Sequence, residues 1–270
     1  MLKVEGLSKT FFPRTVNEVA ALRDIHLHLE PGSFTGIIGT NGSGKSTLLN
    51  AVAGTFPPDR GTILIHGKDV TRWPEYQRAS LIGRVFQNPF AGTAADMTIA
   101  ENIVMAMRRG HSLPLRMALK PSVREEIAER VLSLRMGLED RLDNPIGTLS
   151  GGQRQALTLL MATWNKPSLL LLDEHTAALD PRSAAKVAEL TGTIIREHQL
   201  TALMVTHSMQ QVIDLPDRIV MMHRGRIVED YRGDEKKRVR VPDLMDTFDR
   251  AQKREKFDES VAGLMLEQYT

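Results

Sequence analysis

The segment GTNGSGKST, residues 39–47, constrains this chain more than any other stretch. Gly39 and Gly44 followed by Lys45 and Ser46 have the spacing of a phosphate loop, which works only between a strand and a helix. Both flanks are present: FTGII, residues 34–38, reads as an apolar strand, and KSTLLNAVAG, residues 45–54, is helix-prone. In that context the backbone of Thr40, Asn41, Gly42, Ser43 and Thr47 can close around the phosphates of a nucleotide, and the helix N-terminus adds a favourable dipole. Lys45 is placed to neutralise phosphate charge and Ser46 to ligate magnesium.

The rest of the chain is consistent with a globular α/β protein. Its 270 residues are 41% hydrophobic and 25% charged, enough for one large domain or one domain with an insertion. The 35 basic and 33 acidic residues leave a net charge of +2, so no overall field points to nucleic acid. The absence of cysteine excludes disulfides, thiol catalysis and thiolate zinc sites. The leucine run at residues 169–172 is far short of the roughly 20 residues a membrane span needs. MLKVEGLSKT at the amino terminus lacks the apolar core of a secretory signal, so a soluble cytoplasmic chain is expected.

β-type runs open the chain, including DIHLHLE, where Ile25, Leu27 and Leu29 alternate with His26 and His28 and place both histidines on a solvated face. From about Thr98 to Asn165 the pattern turns helical, with breaks at Pro114, Pro121 and Pro145. Strands return at LLLLDE, TALMVTH and RIVMMHRGRIVED, and a helix starts at Pro181 with Asp180 as N-cap. The division expected is a domain over 1–231, with a helical subdomain inserted at about 89–166, and a C-terminal helical extension over 232–270. The extension opens on the charged run RGDEKKRVR, a solvated face, and continues with Leu244, Phe248 and Ala251 at helical spacing.

Two further motifs carry chemistry. In LLLLDEHT a buried strand delivers Asp173 and Glu174 to its carboxyl end, the edge where α/β sheets bind ligands. Alone, this is equally a capping turn; beside the phosphate loop, Asp173 becomes a magnesium holder and Glu174 the residue facing the attacking water. In LSGGQRQALTLLMATW, Ser150 and Gln153 form a capping box, and Leu157, Leu160, Met161 and Trp164 make the apolar stripe of a helix. Ser150, Gly151 and Gly152 therefore sit at a second anion-attracting helix N-terminus. One nucleotide does not readily occupy both N-termini of one subunit, so two chains are expected to share each nucleotide.

The order GTNGSGKST, VFQNP, LSGGQ, LLLLDE, AALD, VTH resembles the ATP-binding cassette (ABC) family over residues 1 to about 230. The resemblance implies a P-loop NTPase, RecA-like core with an antiparallel β subdomain and an inserted helical subdomain. It implies ATP and Mg2+, an ATP-dependent pair of cassettes, integral-membrane permease subunits, and an extracytoplasmic substrate-binding protein acting through the permease; no nucleic-acid partner is implied. The chain would then sit on the inner face of the cell membrane. Gln87 of VFQNP would be the Q-loop residue touching magnesium or water, His207 of VTH the switch histidine, and Asp180 of AALD the D-loop carboxylate at the dimer interface. Phe11, with Phe12 as its immediate competitor, would stack on adenine.

His175 stands where the family commonly has proline, which is expected to loosen the turn after Glu174. Details such as LLLLDEHTAALDPRS are similar to a bacterial subgroup importing amino acids or related metabolites; an exporter subunit and a non-transport ATPase remain the alternatives. The other histidines, His66, His111, His198 and His223, have no metal-ligand spacing, and the methionines together with Trp73 and Trp164 read as packing.

Overall fold

A computed structural model describes residues 1–110 and 120–253. His111, Pro114, part of the expected helical insertion and the end of the C-terminal extension lie outside the described residues.

The strands form two sheets. β1 (Leu2–Phe11), β2 (Val19–Leu29), β4 (Arg60–Ile65) and the short β5 (Lys68–Asp69) make an antiparallel sheet in the order β2-β1-β4-β5. β3 (Phe34–Gly39), β6 (Ile82–Val85), β7 (Leu169–Asp173), β8 (Ala202–Val205), β9 (Arg218–His223) and β10 (Arg226–Tyr231) make the second, in the order β10-β9-β3-β8-β7-β6. Within it β9, β3, β8, β7 and β6 run parallel, and only β10 is antiparallel to its neighbour. His26 and His28 face solvent, as the alternation of β2 predicts.

A parallel sheet covered on both faces must be apolar along its whole length. β7 shows how the faces are assigned: Leu169 and Leu171 pack toward α1 (Lys45–Ala53) and the antiparallel sheet, while Leu170 and Leu172 pack toward α5 (Gly151–Thr163) and α6 (Pro181–Glu197). β8 alternates the same way, with Leu203 and Val205 on the first face and Ala202 and Met204 on the second. Helix α1 is thus enclosed between the sheets, which fixes the glycine loop at its N-terminus to the centre of the molecule.

α2 (Glu75–Arg78) precedes β6. The segment between β6 and β7 is helical, with α3 (Ile99–Met107), α4 (Pro121–Leu132) and α5 sharing an apolar cluster of their own that includes Ile103, Ile127, Val131, Leu157 and Trp164. Pro121 occupies the first turn of α4, where its missing N–H costs nothing. Beyond the charged run the tail packs on the core. After α7 (Met209–Asp214), β9 and β10 come α8 (Gly233–Arg238) and α9 (241–253), and Val239, Leu244 and Phe248 are buried against Ile38, Val212, Ile219 and Met221.

The tail-side strands are locked by one charged cluster. Arg218 donates to both carboxylate oxygens of Asp230 at 2.7 Å and also to the His28 carbonyl, tying the two sheets together. Burial works against the Asp230 carboxylate, but Arg218 and Arg232 outweigh it and hold its pKa at about 2. A carboxylate depressed in the folded state stabilises the protein above its unfolded pKa, and that contribution is lost as pH falls through the folded value. Asp230→Asn should therefore cost about 1–2 kcal/mol at pH 7, with solvent screening allowed for, and the difference from wild type in denaturant unfolding should shrink toward zero as pH falls from about 4 to 2.

Candidate active site

Because β3, β6, β7 and β8 are parallel, their carboxyl ends come out side by side. Gly39 of β3 leads into the glycine loop, β6 into Phe86 and Gln87, β7 into Asp173 and Glu174, and β8 into Thr206 and His207. The motifs are scattered over 170 residues of sequence, yet the sheet collects them on one edge.

In the loop, Lys45 is nearly buried and curls back, its Nζ donating to the carbonyls of Gly39 at 2.9 Å and Thr40 at 3.0 Å. An ammonium has three donors, so one remains for a ligand. Gly44 caps α1 in the left-handed region at φ 98°, and a Cβ there would lie 2.4 Å from the Ala21 carbonyl. Only glycine permits that approach of the loop to β2. Ser43 Oγ is buried in the loop without a protein partner. Above the loop lies a cavity of about 460 Å³ lined by Phe11, Phe12, Val19, Ala21, residues 41–47, Glu174 and His207. The Phe11 ring meets Phe56 edge-on at 5.3 Å, and Phe12 is exposed with φ 50°.

Glu174 is 8% exposed, and its carboxylate is held from two strand ends. His207 Nε2 lies 2.5 Å from Oε1, and Gln87 Nε2 donates to Oε2 at 3.2 Å. Its backbone adopts φ 45°, an uncommon conformation for a non-glycine residue, fixed by donation from its N–H to the Val205 carbonyl at 2.9 Å. Pointing the Gln87 amide nitrogen at Glu174 turns its oxygen into an available acceptor. The Gln87 oxygen, the Ser46 hydroxyl and the Asp173 carboxylate are all oxygen donors, the type a hard cation requires. Burial lowers the Lys45 pKa while Glu174 and Asp173 oppose it, and burial raises that of Asp173 while Arg84 and Lys45 oppose it.

The turn after Glu174 is pinned, contrary to the expectation drawn from the missing proline. His175 is fully buried, and its Nε2 lies 2.9 Å from Thr191 Oγ1, whose own proton goes to the Val187 carbonyl. The imidazole must then donate, so it fastens the turn to α6 by a hydrogen bond where proline would have stiffened it covalently. Next to it, Thr176 and Thr206 both donate to Gln211 Oε1, joining the loops that carry Glu174 and His207.

Ser150 and Gln153 form the expected capping box on α5. Ser150 and Gly151 are exposed, and neither they nor Gly152 line the cavity above the glycine loop. Gly152 also has a packing role, since a Cβ there would lie 2.7 Å from Ser183 Cβ on α6. Asp180 caps α6 by accepting from the Ser183 N–H at 3.1 Å, an interaction that holds its carboxyl below the usual range.

Sequence reasoning missed Arg84, which faces Asp173 at 3.6 Å, and Gln211, the bridge between loops. It also missed Gln155 of α5, which donates to the Phe86 carbonyl at 3.0 Å and ties the helical segment to the strand end before Gln87. A signal existed only for Arg84: a cation inside the apolar run LIGRVF needs a buried partner.

Residues 22–177 match the family model described as ABC transporter. The chain is 38% identical over 252 residues to a tyrosine transport ATP-binding protein of Clostridioides difficile, covering 93% of this chain and all of that one. It is 37% identical over 235 residues to a methionine import ATP-binding protein of Rhodopseudomonas palustris, covering 85% of this chain but only 60% of that longer one. Among solved structures it is similar to a dimeric ATP-binding cassette in a post-hydrolysis state with ADP and Pi bound, at a TM-score of 0.73 and 25% identity, over 86% of this chain and 98% of that one.

Burial holds the pKa of His175 at about 4. An imidazole kept neutral in the folded state stabilises the protein above its unfolded pKa of about 6.5, and stability falls as pH drops from there toward the folded value. Lowering the pH from 7 to 5 should remove about 2 kcal/mol through this group. In denaturant unfolding at both pH values, His175→Gln should show a pH-dependent loss smaller by that amount; an equal loss in both proteins would contradict the buried, neutral assignment.

Proposed function

The chain belongs to the ABC transporter family and is an ATP-hydrolysing subunit that pairs as a dimer; from that premise we propose that its site works through the residues gathered at the carboxyl edge of the parallel sheet. The observation that carries the proposal is the Glu174 carboxylate, shielded from water and held between Gln87 and His207 at the mouth of the glycine-loop cavity.

In this reading the amides of Thr40 to Thr47, with Gly39 and Gly44 shaping the turn, cradle the phosphates of ATP, and the remaining Lys45 N–H reaches the outer ones. The Phe11 ring, braced by Phe56, is the adenine platform, with Phe12 as its competitor. Ser46, Gln87 and Asp173 would hold Mg2+, which when bound would offset charge on the phosphate oxygens. Glu174 accepts the hydrogen bond of the attacking water and orients it in line. His207 Nε2–H, now directed at Glu174, donates to the γ-phosphate. Ser150, Gly151, Gly152 and Gln153 stand outside the cavity, so we assign them to the nucleotide of a second copy, with Asp180 at the contact between copies.

The names of the relatives support an importer of amino acids; we assign it permease subunits in the membrane and an extracytoplasmic binding protein, with this chain at the inner face. No helix among the described residues is long and apolar enough to cross a membrane. The helical insertion at about 89–166 is assigned to docking the permease. A groove of about 590 Å³ between that insertion and the core, lined by Phe86, Met105 and Arg109 among others, adjoins Gln87 and gives the partner a route to the site. The tail over 232–270, whose residues Val239, Leu244 and Phe248 pack against β9, is assigned as a C-terminal extension.

Glu174→Gln should bind ATP and accumulate as a dimer in size-exclusion chromatography, while steady-state hydrolysis falls at least ~100-fold. Turnover at the wild-type rate would refute the role given to Glu174.

A further inference from the structure

Arg84 is the one cation among the described residues that touches both the groove and the strand end carrying Asp173. It leaves β6 with its side chain 13% exposed and lies among the groove-lining residues. Its Nη2 donates to Asn50 Oδ1 at 2.5 Å on α1 and stands 3.6 Å from Asp173 Oδ2. Its Nη1 faces Glu75 Oε1 at 3.5 Å and Thr55 Oγ1 at 3.3 Å, and the guanidinium lies over the Phe86 ring at 4.6 Å. Nε is buried with no partner.

These distances differ from those of a structural arginine. Arg218 clasps Asp230 with two bonds of 2.7 Å, the fork geometry that locks a carboxylate. Arg84 reaches Asp173 and Glu75 only at 3.5–3.6 Å, the outer limit of hydrogen bonding, and its one short bond goes to a neutral amide. It is therefore suspended between an inner carboxylate at the nucleotide site and an outer one on the groove wall, committed to neither. Glu75 is half exposed, so its attraction is screened by water; Asp173 is shielded, so its attraction is not. At rest the balance favours Asp173. An acidic group brought into the groove would add a second attraction on the outer side.

From this geometry we infer that Arg84 is a positioning residue that competes with the divalent cation for Asp173, so that a partner presenting an acidic group in the groove raises the metal affinity of the nucleotide site. The inference rests on the assignment of Asp173 as a metal holder. Gln87 is attached to the same strand end, so groove occupancy would reach the site by two separable routes: the amide at Glu174, and the guanidinium at Asp173. Only the second changes the cation requirement through charge.

The test is a Mg2+ titration of the binding of a fluorescent, non-hydrolysable ATP analogue to the full chain. Arg84→Met keeps the stem on Phe86 and removes the charge; it should lower the Mg2+ concentration for half-maximal tightening by ~5-fold or more, with metal-free affinity unchanged. Arg84→Lys, which keeps the charge and loses the fork, should lie between the two. Asp173→Asn in the same assay should lose the Mg2+ effect. If it does so while Arg84→Met shows the wild-type midpoint, or a higher one, the role of Arg84 is overturned and the metal assignment stands. If Asp173→Asn keeps the wild-type Mg2+ response, the metal assignment fails and the inference with it.

Discussion

The central strands of a parallel sheet covered on both faces carry few charges, and the candidate site lies at the edge where those strands end. Leu169 to Leu172 are fully buried, two on each face, and the first position at which β7 can carry a carboxylate is Asp173. β3 is likewise free of charge until Gly39, its one polar side chain being Thr35, and β8 is apolar until Thr206 and His207. Charge is expelled to one edge, and the register of the strands decides which charges meet there. At Lys45 and Asp173 burial and charge attraction pull in opposite directions, as expected at an edge only partly open to water. A carboxylate held there by two directional donors is preorganised to act on a water molecule rather than to be solvated by many.

Much of this could be read from the sequence because it rests on local rules. The glycine loop needs a strand before it and a helix after it, the capping box of Ser150 and Gln153 is a spacing of three residues, and Asp180 before Pro181 is a common helix start. Side-chain alternation placed His26 and His28 in solvent, and the apolar runs located the buried strands. Contacts across long sequence distances could not be read in this way. The bond from Gln87 to Glu174 spans 87 residues, and that from Gln155 to Phe86 spans 69. His175 looked like a loosened turn because its anchor, Thr191, lies on the next helix. The run RGDEKKRVR looked solvated because seven of its nine residues are basic or acidic, yet Val239 within it and Leu244 and Phe248 beyond it are anchors in the core.

The N-terminus of α5, with Ser150 and Gly151 exposed, does not line the glycine-loop cavity. Both are anion-attracting ends, and the second has no anion of its own within the chain. In the proposed arrangement, two copies related by a two-fold axis would satisfy both ends at once and make two equal sites. Hydrolysis at a shared site then has a mechanical meaning: the nucleotide joins the copies, and loss of its terminal phosphate removes the joint.

The claim that each site is built from two chains is tested most directly by mixing two crippled proteins, Lys45→Ala and Ser150→Arg. If sites are shared, a mixed dimer contains one site with a sound Lys45 and a sound Ser150, and the mixture should recover ATPase activity that neither protein shows alone, on the order of a quarter of wild type for random pairing. If mixed dimers form, as read by co-purification through a tag on one partner, and hydrolysis stays at the sum of the separate proteins, the site is complete within one chain and the account is wrong.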